Sequence, residues 1–175
     1  LEFRRVLFRS NLELMTAFNP LPTPPMTDDM SRLLQRVARS FALSVKVLPS
    51  ELRVPVALGY LLARASDTIA DAWPTSGQDG QTTRLRLSAL DELHQAIVRM
   101  ALGESSPSQL GQVQRCLSGV PSDDERQLLE TLPVWLQALS NLGETDRRLI
   151  ARVCETIVSG QRLDLLRFEG PQGVV

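Results

Sequence analysis

At 175 residues, 43% of them hydrophobic, the chain can bury one helical core but hardly two domains. Its formal net charge of −1, with no basic block interleaved with aromatics, excludes nucleic acid as a partner. Two distant cysteines, Cys116 and Cys154, and a single histidine, His94, exclude a zinc site or a Cys–His nucleophile pair. Any metal site must then be built of oxygen ligands, which selects magnesium or manganese. The two thiols read as reduced and buried in a cytoplasmic protein, and His94 as a solvated residue on the polar side of its helix. Positive charge is almost all arginine, Lys46 being the one lysine. Arginine suits diphosphate binding, although a GC-rich coding sequence accounts for the bulk of it. No run approaches the roughly 18 apolar residues of a membrane span.

In chain order, residues 1–25 are expected to be a disordered leader. Leu1 to Ser10 is arginine-studded and lacks a signal-peptide core, and RRVLFRS at Arg4 to Ser10 reads like an in-frame translation of a sequencing adapter. Pro20, Pro22, Pro24 and Pro25 follow, and Met26 is the candidate start, with Met15 next. Thr27 or Asp28 caps a first helix to about Val47, with Met30, Leu33, Leu34, Val37 and Phe41 on its inner face. Pro49 ends it, and Pro55 sits at the start of the next helix. Trp73 to Gln81 is a loop, placed where a lid would be expected. Arg84 to Ala101 is an amphipathic helix burying Leu87, Leu90, Leu93, Ile97 and Met100. A short helix spans Ser108 to Leu117. Ser122-Asp-Asp-Glu125 is a capping box opening another helix, which Pro133 breaks or kinks. Thr145 caps the last, to about Phe168, with Leu149, Ile150, Val153, Ile157 and Leu165 inward. No strand or repeat is legible, so the fold class is all-α.

The second helix carries the chemistry. Val54 to Ala72 is apolar nearly all round, as in a helix buried in a helical core. Tyr60, Arg64, Asp67 and Asp71 nevertheless recur at i, i+4, i+7 and i+11, forming one polar stripe. Two carboxylates four residues apart repel, and in a partly buried place one tends to stay protonated unless a cation lies between them. The alternative is that Arg64 pairs with Asp67 while Asp71 ends the helix in solvent.

Arg39-Ser40-Phe41-Ala42-Leu43-Ser44, on the preceding helix, joins this stripe in a single pattern. Together they resemble the squalene and phytoene synthase family of head-to-head prenyl synthases, in which R-S-F faces Y-x-x-x-R-x-x-D-x-x-x-D. The match runs without a gap from Val37 to Ala72. Gly160-Gln161-Arg162-Leu163-Asp164-Leu165 is similar to that family's G-M-x-M-D-L segment, with Gln161 in place of the usual Met. Its alternative is a glycine that admits a close helix neighbour and an Asp164 paired with Arg162 or Arg167.

The resemblance implies a class I isoprenoid synthase helical bundle, with residues 26–175 as its N-terminal part. The expected second D-x-x-x-D helix finds no counterpart here, so the chain reads as a fragment, inactive by itself. The resemblance further implies magnesium- or manganese-dependent condensation of two prenyl diphosphates, with farnesyl diphosphate the expected substrate. The product would be presqualene diphosphate and then, with NADPH, squalene; without the reductant it would be phytoene or dehydrosqualene. R-S-F-A and D-T-I-x-D read closer to the squalene branch. Asp67 and Asp71 would hold the metal, Arg39 and Arg64 the diphosphate, and Ser40 would add a hydrogen bond. Phe41 would line the pocket, and Tyr60 would act catalytically by stabilising cationic charge or hydrogen-bonding the leaving group. Gln161 and Asp164 are weaker candidates for the lining. A cytoplasmic enzyme, peripheral at the inner membrane face through its lipid product, is the implied setting. A non-catalytic relative acting as an assembly protein is the rival reading.

Overall fold

The computed structural model describes residues 26–72, 79–104 and 110–168, and all regular structure among them is helical. The leader at 1–25 and the lid expected at 73–78 lie outside the described residues. Thr27 caps the first helix, α1 (Asp28–Val37), its hydroxyl accepting from the Met30 N–H at 3.2 Å. The expected continuous helix to Val47 is broken at Ala38, whose φ of −158° and ψ of 68° are not helical. A second helix, α2 (Arg39–Lys46), starts there. No breaker residue stands at this position. Both helices pack on α3 (Ser50–Asp71), and α1 packs on α6 (Asp123–Glu130) as well.

The motif helix α3 begins at Ser50 rather than at Pro55. Pro55 therefore lies inside it, buried, opposite the carbonyl of an exposed Glu51 that water can satisfy. Ala57, Leu58, Leu61, Leu62, Ala65 and Ile69 are fully buried along α3. This helix touches α1, α2, α4 (Asp79–Ala101), α6, α7 (Leu132–Ser140) and α8 (Glu144–Phe168). Between α4 and α6 lies the short α5 (Gly111–Cys116), continued by a 3-10 turn over Leu117–Gly119. Helix α4 starts five residues before the expected Arg84 and buries Leu90, Leu93, Ile97 and Met100, but Leu87 only in part. His94 is half-buried rather than solvated, and its Nε2 is buried without a hydrogen-bond partner. Pro133 does not kink a helix but occupies the first turn of α7, where no N–H is needed.

The last helix differs from expectation in phase. Ile150, Cys154, Val158 and Leu165 face inward, and Leu149 and Val153 are more than half exposed. Both sets recur at helical spacing, and contact with α3 and α4 selects the first. Thr145 lies within α8, not at its cap. The two cysteines are buried as expected, and burial pushes both thiols up to about 11, so they are unreactive.

Leu61→Ala should cost about 3 kcal/mol, as cavity-forming core substitutions do. Val153→Ala should stay within about 0.5 kcal/mol, as exposed substitutions do. Urea unfolding of both variants checks this, and equal losses would restore the first phase for α8.

Candidate functional site

The stripe of α3 lies along the one side of the helix that the bundle leaves open. Tyr60, Arg64 and Asp67 are half-buried and Asp71 is exposed, while Leu61 and Leu62 point into the core. Arg64, Asp67 and Asp71 line a cavity of about 300 Å³, and its other wall is Gln161, Asp164, Leu165 and Phe168 of α8. The two segments singled out in the sequence, some 90 residues apart, thus meet. The Gln161 amide donates from Nε2 to Asp67 Oδ1 at 2.5 Å. Gly160 does not serve as a close-approach glycine, because a Cβ there would meet nothing within 4 Å. Arg162 pairs with Asp91 of α4 instead of Asp164.

Arg64 pairs closely with Glu125, the first charged residue the sequence reading left out of the site. Its distance to Asp67 is 4.0 Å, the outer limit of an ion pair. Glu125 read as half of a capping box; Ser122 does accept from the Glu125 N–H at 3.4 Å, but the carboxylate goes to Arg64. Nothing local signals that choice, since the partners are 61 residues apart. The Nε of Arg64 is buried and has no hydrogen-bond partner among the described residues.

A second omission was legible. Arg86 is only 2% exposed and donates from Nη1 to the Ala70 carbonyl at 2.8 Å, anchoring the turn between Asp67 and Asp71. It falls in the buried phase of α4 with Leu90, Leu93 and Ile97, and a charge in that phase signals a buried partner.

The R-S-F residues divide. Phe41 stacks on Tyr60 with ring centroids 4.0 Å apart and planes at 17°, which joins α2 to the stripe. Arg39 and Ser40 are exposed. The expectation that Arg39 shares a groove with the two aspartates is not met. Arg39 lines a different cavity, about 1060 Å³, with Arg32, Arg36, Lys46 and Trp135, in which Arg36 is paired with Asp124 at 3.5 Å. The break at Ala38 turns Arg39 away while leaving Phe41 on Tyr60.

Partial burial raises the Asp67 carboxyl above its ordinary value of 3.8, and the charges of Asp71 and Glu125 add to this. The Gln161 hydrogen bond and Arg64 oppose it without cancelling it. Desolvation thus leads the shift, and the like charges on the same face are smaller contributions to it.

The sequence pattern of the squalene/phytoene synthase family matches residues 34–171. The chain belongs to that family, and its all-α fold is that of the family's terpenoid synthase bundle. Its similar relatives include the Botryococcus squalene synthase of Botryococcus braunii, 51% identical over 39 residues. The squalene synthase of Solanum lycopersicum is 40% identical over 65 residues, and squalene synthase LSS of Botryococcus braunii 41% over 51. These matches cover 22%, 37% and 29% of this chain, but only 8%, 16% and 11% of the relatives' own length. No solved structure matches the chain.

The folded chain holds the Asp67 proton more tightly than the unfolded one does. Ionised Asp67 therefore costs stability at neutral pH, and the cost vanishes as pH falls toward the unfolded value. Without divalent metal, Asp67→Asn should equal or exceed the parent at pH 7, by no more than about 0.5 kcal/mol because the group is part-exposed. The difference should close near pH 4. A clearly less stable variant at pH 7 would contradict the desolvation account.

Proposed function

We propose that the full-length protein carrying this sequence is a prenyltransferase that condenses two prenyl diphosphates head to head. The observation that supports this best is the meeting of Arg64, Asp67 and Asp71 with Gln161 and Asp164 around one cavity. Breaking an allylic C–O bond leaves a carbocation and a diphosphate of several negative charges. The site must neutralise the diphosphate and keep water from the cation. Arg64, part-exposed on the cavity wall, would donate to diphosphate oxygens from its terminal amino groups. The stacked faces of Phe41 and Tyr60 offer negative π-density beside an apolar chain, where developing positive charge is stabilised. Arg39 and Ser40, exposed on α2, would reach a second diphosphate from that side.

The donor set fits a hard divalent cation, since Asp67, Asp71 and Asp164 offer carboxylate oxygens and no nitrogen or sulfur ligand lines the cavity among the described residues. Among the described residues no three acidic, His or Cys groups lie close enough to hold a metal ion by themselves. Asp67 and Asp71 would therefore supply part of the coordination to Mg²⁺ or Mn²⁺, the substrate diphosphate and water supplying the rest, as is usual for magnesium. When bound, the metal withdraws charge from the leaving diphosphate. Farnesyl diphosphate as substrate, with NADPH as reductant and squalene as product, is the specific form of the proposal, because the similar relatives carry the squalene synthase name. No helix among the described residues is long and apolar enough to cross a membrane. A cytoplasmic protein meeting the membrane only through its lipid product is part of the proposal.

The full-length protein should convert farnesyl diphosphate with Mg²⁺ and NADPH to squalene, read by extraction and chromatography of the products. Asp67→Asn and Asp71→Asn should each lower turnover by about 100-fold or more. A product that is a triene with or without NADPH would move the reading to the phytoene or dehydrosqualene branch. Full turnover in both variants would sink the metal assignment.

A further inference from the structure

We propose that Gln161 is a positioning residue, which through one amide hydrogen bond fixes how Asp67 presents its carboxylate to a divalent cation. The inference rests on the metal reading above and goes beyond it to a residue on a different helix. Its basis is the geometry of the amide. Gln161 Nε2 donates to Asp67 Oδ1 at 2.5 Å, across 94 residues of chain. The opposite amide orientation would set two acceptors against each other, so the donor side is committed to Asp67. In consequence Gln161 Oε1 is buried with no hydrogen-bond partner. A buried acceptor left unpaired is unfavourable and calls for a reason other than packing. An apolar side chain at 161 would avoid it.

The rest of the surroundings points the same way. With Oδ1 held, Asp67 Oδ2 has only Arg64 at 4.0 Å and remains open to the cavity that Asp71 and Asp164 share. Gln161 is itself well anchored. Val158 and Leu165 on either side of it are buried, and Arg162 ties α8 to Asp91 of α4. A partner that orients a ligating carboxylate in this way typically changes metal affinity 10- to 100-fold when it is removed.

The test uses the full-length protein and Mn²⁺ alone, with binding read from loss of the free-ion signal in electron paramagnetic resonance. Gln161→Met keeps the length and removes the donor. It should weaken Mn²⁺ binding about tenfold, and should raise the Mg²⁺ concentration for half-maximal turnover more than it lowers kcat. In the Asp67→Asn background the same change should have no further effect, because the two residues act as a pair. Gln161→Asn, whose amide is one methylene too short to reach Asp67, should mimic Gln161→Met and replaces it should that variant fail to fold by circular dichroism. Unchanged Mn²⁺ affinity in the folded variants would overturn the inference alone, as would an equal loss in the Asp67→Asn background. A parent protein that binds no Mn²⁺, either alone or with inorganic diphosphate present, would overturn the inference together with the metal reading beneath it.

Discussion

The burial of α3 on every side but one is the constraint on which the rest depends. Six helices pack against it, and its apolar residues from Ala57 to Ile69 are closed to solvent. A helix so enclosed can keep polar groups only along the gap its neighbours leave, and Tyr60, Arg64, Asp67 and Asp71 occupy that gap. Their mutual positions are therefore held by the core, not by their own interactions. Charge on such a rigid stripe cannot relax away from itself, so the two acids stay within reach of each other's repulsion.

The surrounding charges follow from that. Glu125 takes Arg64, so the guanidinium does not neutralise Asp67. Arg86 spends its hydrogen bond on the Ala70 carbonyl and steadies the turn between the two acids. The Asp67 carboxyl is raised chiefly by its partial burial, which Gln161 and Arg64 oppose only in part. Structural ion pairing would have produced the reverse, a lowered carboxyl matched to one close cation.

Each of the two cavities is mixed in charge. Arg39, Arg36, Arg32 and Lys46 line the larger one with Asp29 and Asp124, and Asp67, Asp71 and Asp164 line the smaller one with Arg64. The Phe41–Tyr60 stack is the contact that links the R-S-F helix to the acidic stripe.

The sequence by itself determined the all-α class, the buried character of α3, the register of its polar stripe, the Thr27 and Ser122 caps and the inert cysteines. Each of these depends on helical period or on a residue's own chemistry, both of which are local. The G-Q-R-L-D-L segment was also visible, and its alternative reading as a close-approach glycine falls away because a Cβ at Gly160 would meet nothing within 4 Å. Arg86 could have been found from its place in the buried phase of α4. Other features were decided only by the tertiary structure. Val153 and Val158 stand equally well on an apolar stripe of α8, and contact with α3 and α4 chose between them. The break at Ala38 has no breaker residue to announce it, and Arg39 just beyond it lines a different cavity from the aspartates. Glu125 pairs with Arg64, and Gln161 with Asp67, across 61 and 94 residues. A hydrogen bond between residues so far apart leaves no periodicity along the chain, because it comes into being only when the helices that carry them are packed together.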